Sequence, residues 1–274
     1  MPSHAQRCLT RKHQQGMSLM EFTVSSAIGL LTAAAAMTAL IHIRSLSQAL
    51  HETVQIQQQA AYAFRVIGQQ IRQTGSLALR PVSSAATATE LETPFAWLES
   101  APVSGTDAPG SSEFALSLIY QDVFESTYAA KADKYENQAL LRNCLGEKPK
   151  NQQPAQLTSR FKITNGNLVC AGTATAQIVL PGVTDLHILY LVRGAQGNPL
   201  HFQYLKASEV QESSAWPRVQ AIEICLEITG SLPMPASADV YIKCDGSQAV
   251  RAKHLKKVFK NNFHIPSSSW NIFH

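Results

Sequence analysis

The chain changes character within twelve residues, Arg11-Lys12-His13-Gln14-Gln15-Gly16-Met17-Ser18-Leu19-Met20-Glu21-Phe22. Two cations give way to a glycine, and a carboxylate follows just inside the edge of an apolar run that continues through Ile43. From Phe22 to Ile41 twenty residues pass without a charge, dominated by Ala, Leu, Ile and Met. A helix of that length covers about 30 Å, enough to cross the hydrocarbon core of a bilayer. Glu21 is costly in such a setting unless something pairs with it.

Three accounts of the segment compete. A cleaved secretory signal has an apolar core of roughly 7–15 residues followed by a small-residue cleavage site. Ala33 to Ala36 offer small residues, but the apolar sequence runs on through Leu40, Ile41 and Ile43 with no turn-forming segment after it. A plain signal anchor uses Arg7, Arg11 and Lys12 to hold the N-terminus in the cytoplasm. That account leaves Gly16 and Glu21 without a role.

The third account gives both a role. A short basic leader ending in Gly16, with Glu21 five residues beyond it, resembles the class III signal of type IV prepilins. The resemblance implies that a prepilin peptidase cuts between Gly16 and Met17 and methylates the amine of Met17. It also implies that Glu21, the fifth mature residue, pairs with a neighbouring subunit's N-terminal ammonium during assembly. Met17 departs from the phenylalanine usual in major pilins.

Composition agrees with a folded, exported chain. Hydrophobic residues make up 45% and charged residues 15%, which supports a real core and argues against disorder. The formal charge of +4 is concentrated in the leader, where Arg7, Arg11 and Lys12 meet no acid. Without residues 1–16, Lys and Arg fall from 23 to 20 against 19 Asp and Glu, so the mature chain is close to neutral. Cys8 lies in the leader, and the rest of the chain keeps Cys144, Cys170, Cys225 and Cys244. Their separations contain no zinc-ligand spacing, which favours disulfides formed in an oxidising compartment. Three connectivities are open; the sequential one, Cys144–Cys170 and Cys225–Cys244, is the expectation.

Beyond the apolar run the sequence turns polar without a helix breaker, and no proline occurs between Pro2 and Pro81. Leu46, Leu50, Val54, Ala60, Ala61, Phe64, Ile67 and Ile71 suggest a stripe at helical period. Gly75 sits where a C-cap residue is wanted, with Arg72 in the last turn. One helix is therefore expected from about Ser18 to Thr74, roughly 85 Å long. Its close, Ala61-Tyr62-Ala63-Phe64-Arg65-Val66-Ile67-Gly68-Gln69-Gln70-Ile71-Arg72-Gln73-Thr74-Gly75, resembles the end of the long helix in the PilW family of minor pilins.

The remainder reads as β-rich. Residues 80–110 form a surface excursion rich in Ala, Ser, Thr, Pro and Gly, with Phe95, Trp97 and Leu98 expected to pin it to the core. Strands are expected over 113–120, 176–180 and 183–192, and a hairpin over 161–170 about Asn165-Gly166. In Ala221–Ile228 the aliphatics alternate inward while Glu223, Cys225 and Glu227 point out. Asp239–Cys244 is expected to pair with that strand. A parity conflict arises, because Cys244 then lies on an inward face while Cys225 points outward, and only a bulge would reconcile the disulfide with the pairing. The phrase Leu180-Pro181-Gly182-Val183-Thr184-Asp185-Leu186-His187-Ile188-Leu189-Tyr190 again resembles PilW-like proteins and the type II secretion pseudopilin GspJ. Residues 265–274 extend past the point where many PilW relatives end.

No catalytic motif is present: no H-E-x-x-H, G-x-S-x-G, P-loop or G-x-G-x-x-G. Enzymatic activity, a metal and a cofactor are therefore not expected. The basic run Arg251, Lys253, His254, Lys256, Lys257 and Lys260 is read as the solvated side of a last strand, with Leu255, Phe259, Phe263 and Ile265 turned inward. A chain this close to neutral lacks the broad positive field that nucleic acid requires.

Together these readings lead to an α+β, type IV pilin-like fold: a leader over 1–16, a long helix over 17–79 with 17–43 transmembrane, and a periplasmic head over 80–274. The resemblance implies a minor pilin stored in the bacterial inner membrane and incorporated into a pilus, with prepilin peptidase, other minor and major pilins and the inner-membrane assembly platform as partners. The alternative is a GspJ-like pseudopilin of a type II secretion system.

Overall fold

Apolar content without breakers from Leu19 onward produces one continuous 55-residue helix, α1 (Leu19–Gln73). It ends where the sequence demands: Gly75 takes φ +74°, the left-handed conformation that closes helices and suits glycine. The computed structural model describes residues 16, 18–76, 101–122, 124–129, 133–149, 155–194, 201–233, 239–251 and 253–266. Met17, the loop residues Phe95, Trp97 and Leu98, and the tail beyond Pro266 lie outside them. The chain falls into two units, residues 1–51 and 52–274.

In the first unit the helix is uncovered. Eleven large apolar side chains between Leu19 and Ile43 are exposed, among them Leu19 at 85% and Leu30 at 72%.

In the second unit the strands in chain order are β1 (Val103–Ser104), β2 (Leu116–Asp122), β3 (Phe124–Ala129), β4 (Lys134–Ala139), β5 (Ala155–Thr164), β6 (Asn167–Ala171), β7 (Ala176–Pro181), β8 (Val183–Arg193), β9 (Phe202–Leu205), β10 (Val219–Pro233), β11 (Val240–Ile242), β12 (Gln248–Val250) and β13 (His254–His264). A short helix, α2 (Ala207–Glu212), follows β9. All described strand pairs are antiparallel. One sheet runs β1-β2-β5-β6-β7 and another β13-β10-β8-β9, while β3–β4 and β11–β12 form separate hairpins. The β5–β6 turn is Asn165-Gly166, both at positive φ (51° and 70°), the conformation that matches the twist of paired strands.

Both sheets and the distal part of α1 share one core, the α+β layout expected of a helix packed on antiparallel sheet. Ile56, Ala60, Ala63, Ile67 and Ile71 face Leu116, Leu118, Phe161, Ile222, Ile224 and Leu226 in that core. The buried stripe differs from the expected one. Leu46, Leu50 and Val54 are exposed, and Glu52, Ile56, Ala63, Gly68 and Gln70 are buried instead. Two stripes coexist on the helix, and the one carrying two polar residues faces the head because each finds a partner there. Glu52 Oε1 accepts the Leu232 N–H at 3.1 Å, and Gln70 Oε1 accepts the Tyr120 hydroxyl at 2.7 Å.

The pairing of β10 also differs from expectation. Its partners are β8 and the last strand β13; residues 240–242 instead form a hairpin with 248–250. β13 competes better because it supplies eleven residues, with Leu255, Phe259 and Phe263 joining the core. The parity conflict over the cysteines then disappears, since Cys244 is no longer bound by the β10 ladder. The β11–β12 hairpin folds over the outward side of β10, where Tyr241 reaches Glu227 and Cys244 meets Cys225. Cys225 and Glu227 are consequently only 2% exposed despite facing away from the core. β2 begins at Leu116 and not at Glu113, whose carboxylate is engaged by the Gly110 N–H at 2.9 Å. In β8 the buried residues change parity from Val183 to Ile188, Tyr190 and Val192, and a register shift lies opposite Glu227 and Ile228.

Candidate functional site

The start of α1 is held by two reciprocal bonds. The Ser18 N–H donates to Glu21 Oε2 at 3.0 Å, and the Glu21 N–H donates to Ser18 Oγ at 3.2 Å. This is a capping box: Ser supplies an acceptor to the third helical residue and Glu returns one to the cap, satisfying two donors that a helix start leaves open. A carboxylate in the first turn also meets the positive end of the helix dipole. Sequence reasoning singled out Glu21 and missed its first partner, although the signal Ser18-x-x-Glu21 lies in plain view.

Gly16, two residues before the cap, is exposed, and nothing lies within 4 Å of where a side chain would begin. Downstream, polar side chains inside the apolar run are satisfied locally. Thr23, Ser26, Thr32 and Thr38 each donate to the carbonyl three residues earlier at 2.9 Å. A hydroxyl bonded to its own helix can enter hydrocarbon without leaving a donor unpaired. The segment is thus one apolar helix able to cross a membrane, opened by a capped carboxylate.

No family model and no curated protein matches this chain. Among solved structures it is similar to the type IV-like pilin TTHA1219 from Thermus thermophilus, with 12% identity and a TM-score of 0.38. The match covers 78% of this chain and 96% of that one. A likeness of that order says nothing of activity.

The expected cysteine pairs lie in the second unit. Cys144 adjoins Cys170 with Cα atoms 6.4 Å apart, and Cys225 adjoins Cys244 at 5.7 Å. The first pair ties the 140–149 segment to β6, and the second ties the β11–β12 hairpin to β10.

Three polar clusters in the head escaped sequence reasoning because each is assembled from distant parts of the chain. Glu227 Oε1 accepts from Thr184 Oγ1 (3.0 Å), Tyr241 OH (3.1 Å) and Lys256 Nζ (3.0 Å). Burial alone would raise this carboxyl; the bonds from Lys256 and Thr184, the Lys256 charge and the Tyr241 bond outweigh it and hold the group below its ordinary value. Gln70, Tyr120 and Ser159 form a second cluster, with Ser159 Oγ donating to Gln70 Oε1 at 2.8 Å. Burial pushes the Tyr120 hydroxyl up to about 12. In the third, Asp107 accepts the Ala207 and Ser208 N–H groups at 2.9 and 3.0 Å, capping α2 across a hundred residues. Burial opposes ionisation of Asp107, but these bonds prevail and its carboxyl lies below the ordinary range.

A cavity of about 100 Å³ lies beside that cap, lined by Thr106, Asp107, His187, Tyr190 and Lys206. It holds no nucleophile paired with a base: Asp107 is committed to backbone and Tyr190 is kept neutral by burial. Among the described residues no cluster of three or more His, Cys, Asp or Glu side chains could hold a metal ion.

Of the basic run, Lys256 pairs with Glu227 at 3.0 Å and Lys260 with Glu223 at 3.9 Å. Those two charges are answered within the sheet.

Proposed function

We propose that this chain is a minor pilin of a type IV pilus, stored in the bacterial inner membrane by its N-terminal helix with its head in the periplasm. The observation that carries this reading is the combination of a capped Glu21 with an entirely uncovered apolar helix that continues into a folded head. Covering eleven large apolar side chains at ~1.5–3 kcal/mol each amounts to about 17–33 kcal/mol. Water is therefore not where this segment rests. A bilayer supplies the cover during storage, and the helices of neighbouring pilins supply it in a filament.

Prepilin peptidase cuts after Gly16 in this reading, leaving the Met17 amine one residue before the cap and close in sequence to the Glu21 carboxylate. In the filament a neighbouring subunit's methylated ammonium takes up that carboxylate and sets the axial register, as desolvation makes an unpaired charge expensive. The partners are other minor and major pilins and the inner-membrane assembly platform, and the subunit initiates or caps assembly. The two cysteine pairs suit the oxidising periplasm. No catalytic role is assigned.

Replacing Glu21 with Ala tests the reading. Membrane-fraction levels should stay at those of the wild type, while the subunit recovered in sheared filaments falls at least tenfold. Undiminished recovery in filaments would refute the assembly role.

A further inference from the structure

The two sides of β8 are not equally paired. β10 runs beside it from Val183 to Val192, whereas β9 pairs only with Tyr190–Arg193 before the chain turns away into α2 at Ala207. The Gly194 N–H donates to the His201 carbonyl at 2.7 Å, which fixes the alternate residues of β8 whose backbone groups turn toward β9. By that alternation Tyr190 and Val192 bond β9, while Ile188 and Leu186 present the next groups past its end. The Leu186 N–H is met by Asp185 Oδ1 at 2.9 Å. The N–H and carbonyl of Ile188 have no strand beside them on this side, and no described residue bonds them there.

Two further features meet at this open stretch of edge. The cavity of about 100 Å³ lies against it, and Ile188 shares its walls with Ala115, Tyr190 and Ala207, all buried core-side residues. Lys206, at the end of β9, is exposed and forms no ion pair with a described carboxylate. The charges on the outward side of β8 are already matched, since His187 Nε2 lies 3.6 Å from Asp185 Oδ2. A free strand edge is a template for another extended backbone, because only such a backbone offers a donor and an acceptor at the spacing the edge requires.

We propose that this edge binds an extended peptide segment of another protein as an added strand, antiparallel to β8 and in line with β9, with the pattern acidic, small, any, apolar. The small residue lies opposite Ile188 and exchanges both backbone bonds with it. Directly opposite residues share a face, so its side chain enters the cavity, which has room for Ala, Ser or Val and none for an aromatic ring. The residue before it lies opposite Leu189, points outward beside Lys206, and answers that free cation with a carboxylate. The next residue faces His187, whose charge is already matched, and is unconstrained. The last lies opposite the half-buried Leu186 and extends the core-side surface with an apolar side chain. Backbone bonds supply the affinity, and the cavity with Lys206 supplies the selectivity. The site belongs to the head alone and does not depend on the pilin reading.

The test titrates the detergent-solubilised full-length chain into the dye-labelled peptide Asp-Ala-Thr-Val, capped at both ends, and reads fluorescence polarisation together with amide exchange. Saturable binding is expected, with exchange over residues 185–189 slowed several-fold. Replacing the peptide's alanine with tryptophan should weaken binding about tenfold or more, as should Ala207→Leu, which fills the cavity from the protein side. Lys206→Glu should reverse the charge preference, so that Lys-Ala-Thr-Val binds better than Asp-Ala-Thr-Val. No saturable binding at the solubility limit of the peptide, equal binding of the alanine and tryptophan peptides, or an unchanged charge preference in Lys206→Glu would each overturn the proposal. Concentration-dependent dimers of the chain that disappear in Ala207→Leu would assign the edge to a second copy and overturn it as well.

Discussion

Ser18 and Glu21 bond each other reciprocally: the Ser18 N–H donates to Glu21 Oε2 at 3.0 Å, and the Glu21 N–H donates to Ser18 Oγ at 3.2 Å. Glu21 therefore has a local task, closing the helix, and the assembly role proposed for it must be separable from that task. Glutamine serves a capping box as well as glutamate does but carries no charge. Glu21→Gln should keep membrane insertion and helix content while losing filament incorporation as severely as Glu21→Ala, read by immunodetection in membrane and sheared-filament fractions. Losing the cap altogether costs about 0.5–2 kcal/mol, too little to release the helix from a membrane. Normal incorporation of the Gln variant would confine Glu21 to capping.

Gln70 joins the helix to the first sheet through two buried hydroxyls. In Gln70→Leu, Tyr120 can redirect its proton to the Arg142 carbonyl at 3.0 Å, but the Ser159 hydroxyl loses its best acceptor. A loss of about 1–3 kcal/mol is expected in denaturant unfolding of the detergent-solubilised chain. Stability equal to wild type would remove the network from the account.

Gly68 gives a sharper steric test. A methyl group there would lie 2.4 Å from Phe263 Cε1 and 2.9 Å from Cδ1, and the same ring packs 6.1 Å from Phe64. Alanine gains about 0.5–1 kcal/mol of helix propensity. Overpacking costs about 1–3 kcal/mol, so Gly68→Ala should destabilise on balance. Adding Phe263→Leu should recover part of the loss; a Gly68→Ala chain more stable than wild type would show that the ring moves aside freely.

The Glu227–Lys256 pair predicts a pH dependence. Glu227 ionises in the folded chain below its ordinary value of 4.5, so its contribution is present above that pH and fades as pH falls through the folded value. The Lys256 ammonium is held above its ordinary 10.5: burial opposes the charge, but Glu227 outweighs burial. Its contribution therefore fades only in strong alkali. Unfolding midpoints measured from pH 7 to pH 3 should fall more steeply for wild type than for Glu227→Gln/Lys256→Met. Parallel slopes would contradict the pairing.

How far the sequence carried the fold can be judged from these same residues. The helix was legible almost to the residue, because apolar content, missing prolines and Gly75 are local signals. So were the Asn165-Gly166 hairpin and the inward side of β13 at Leu255, Phe259 and Phe263. Partner choice was not. Val240 to Cys244 carries good strand character, yet β13 takes the place beside β10, since pairing depends on competition among distant strands. The buried helical face was misjudged for a related reason: Leu46, Leu50 and Val54 look like core, whereas Glu52 and Gln70 become core only once Leu232 and Tyr120 are in place. At the N-terminus, Ser18-x-x-Glu21 was available as a capping signal and was passed over in favour of the Gly16 to Glu21 spacing.

The central claim is that Gly16 and Met17 flank a cleavage point and that the helix beginning at Ser18 is the mature subunit's assembly surface. The most direct measurement is the N-terminal sequence and intact mass of the protein isolated from inner membranes. The account predicts a chain beginning at methylated Met17, lacking residues 1–16, with two disulfides. A chain that retains residues 1–16 in the membrane of cells with active prepilin peptidase would contradict it.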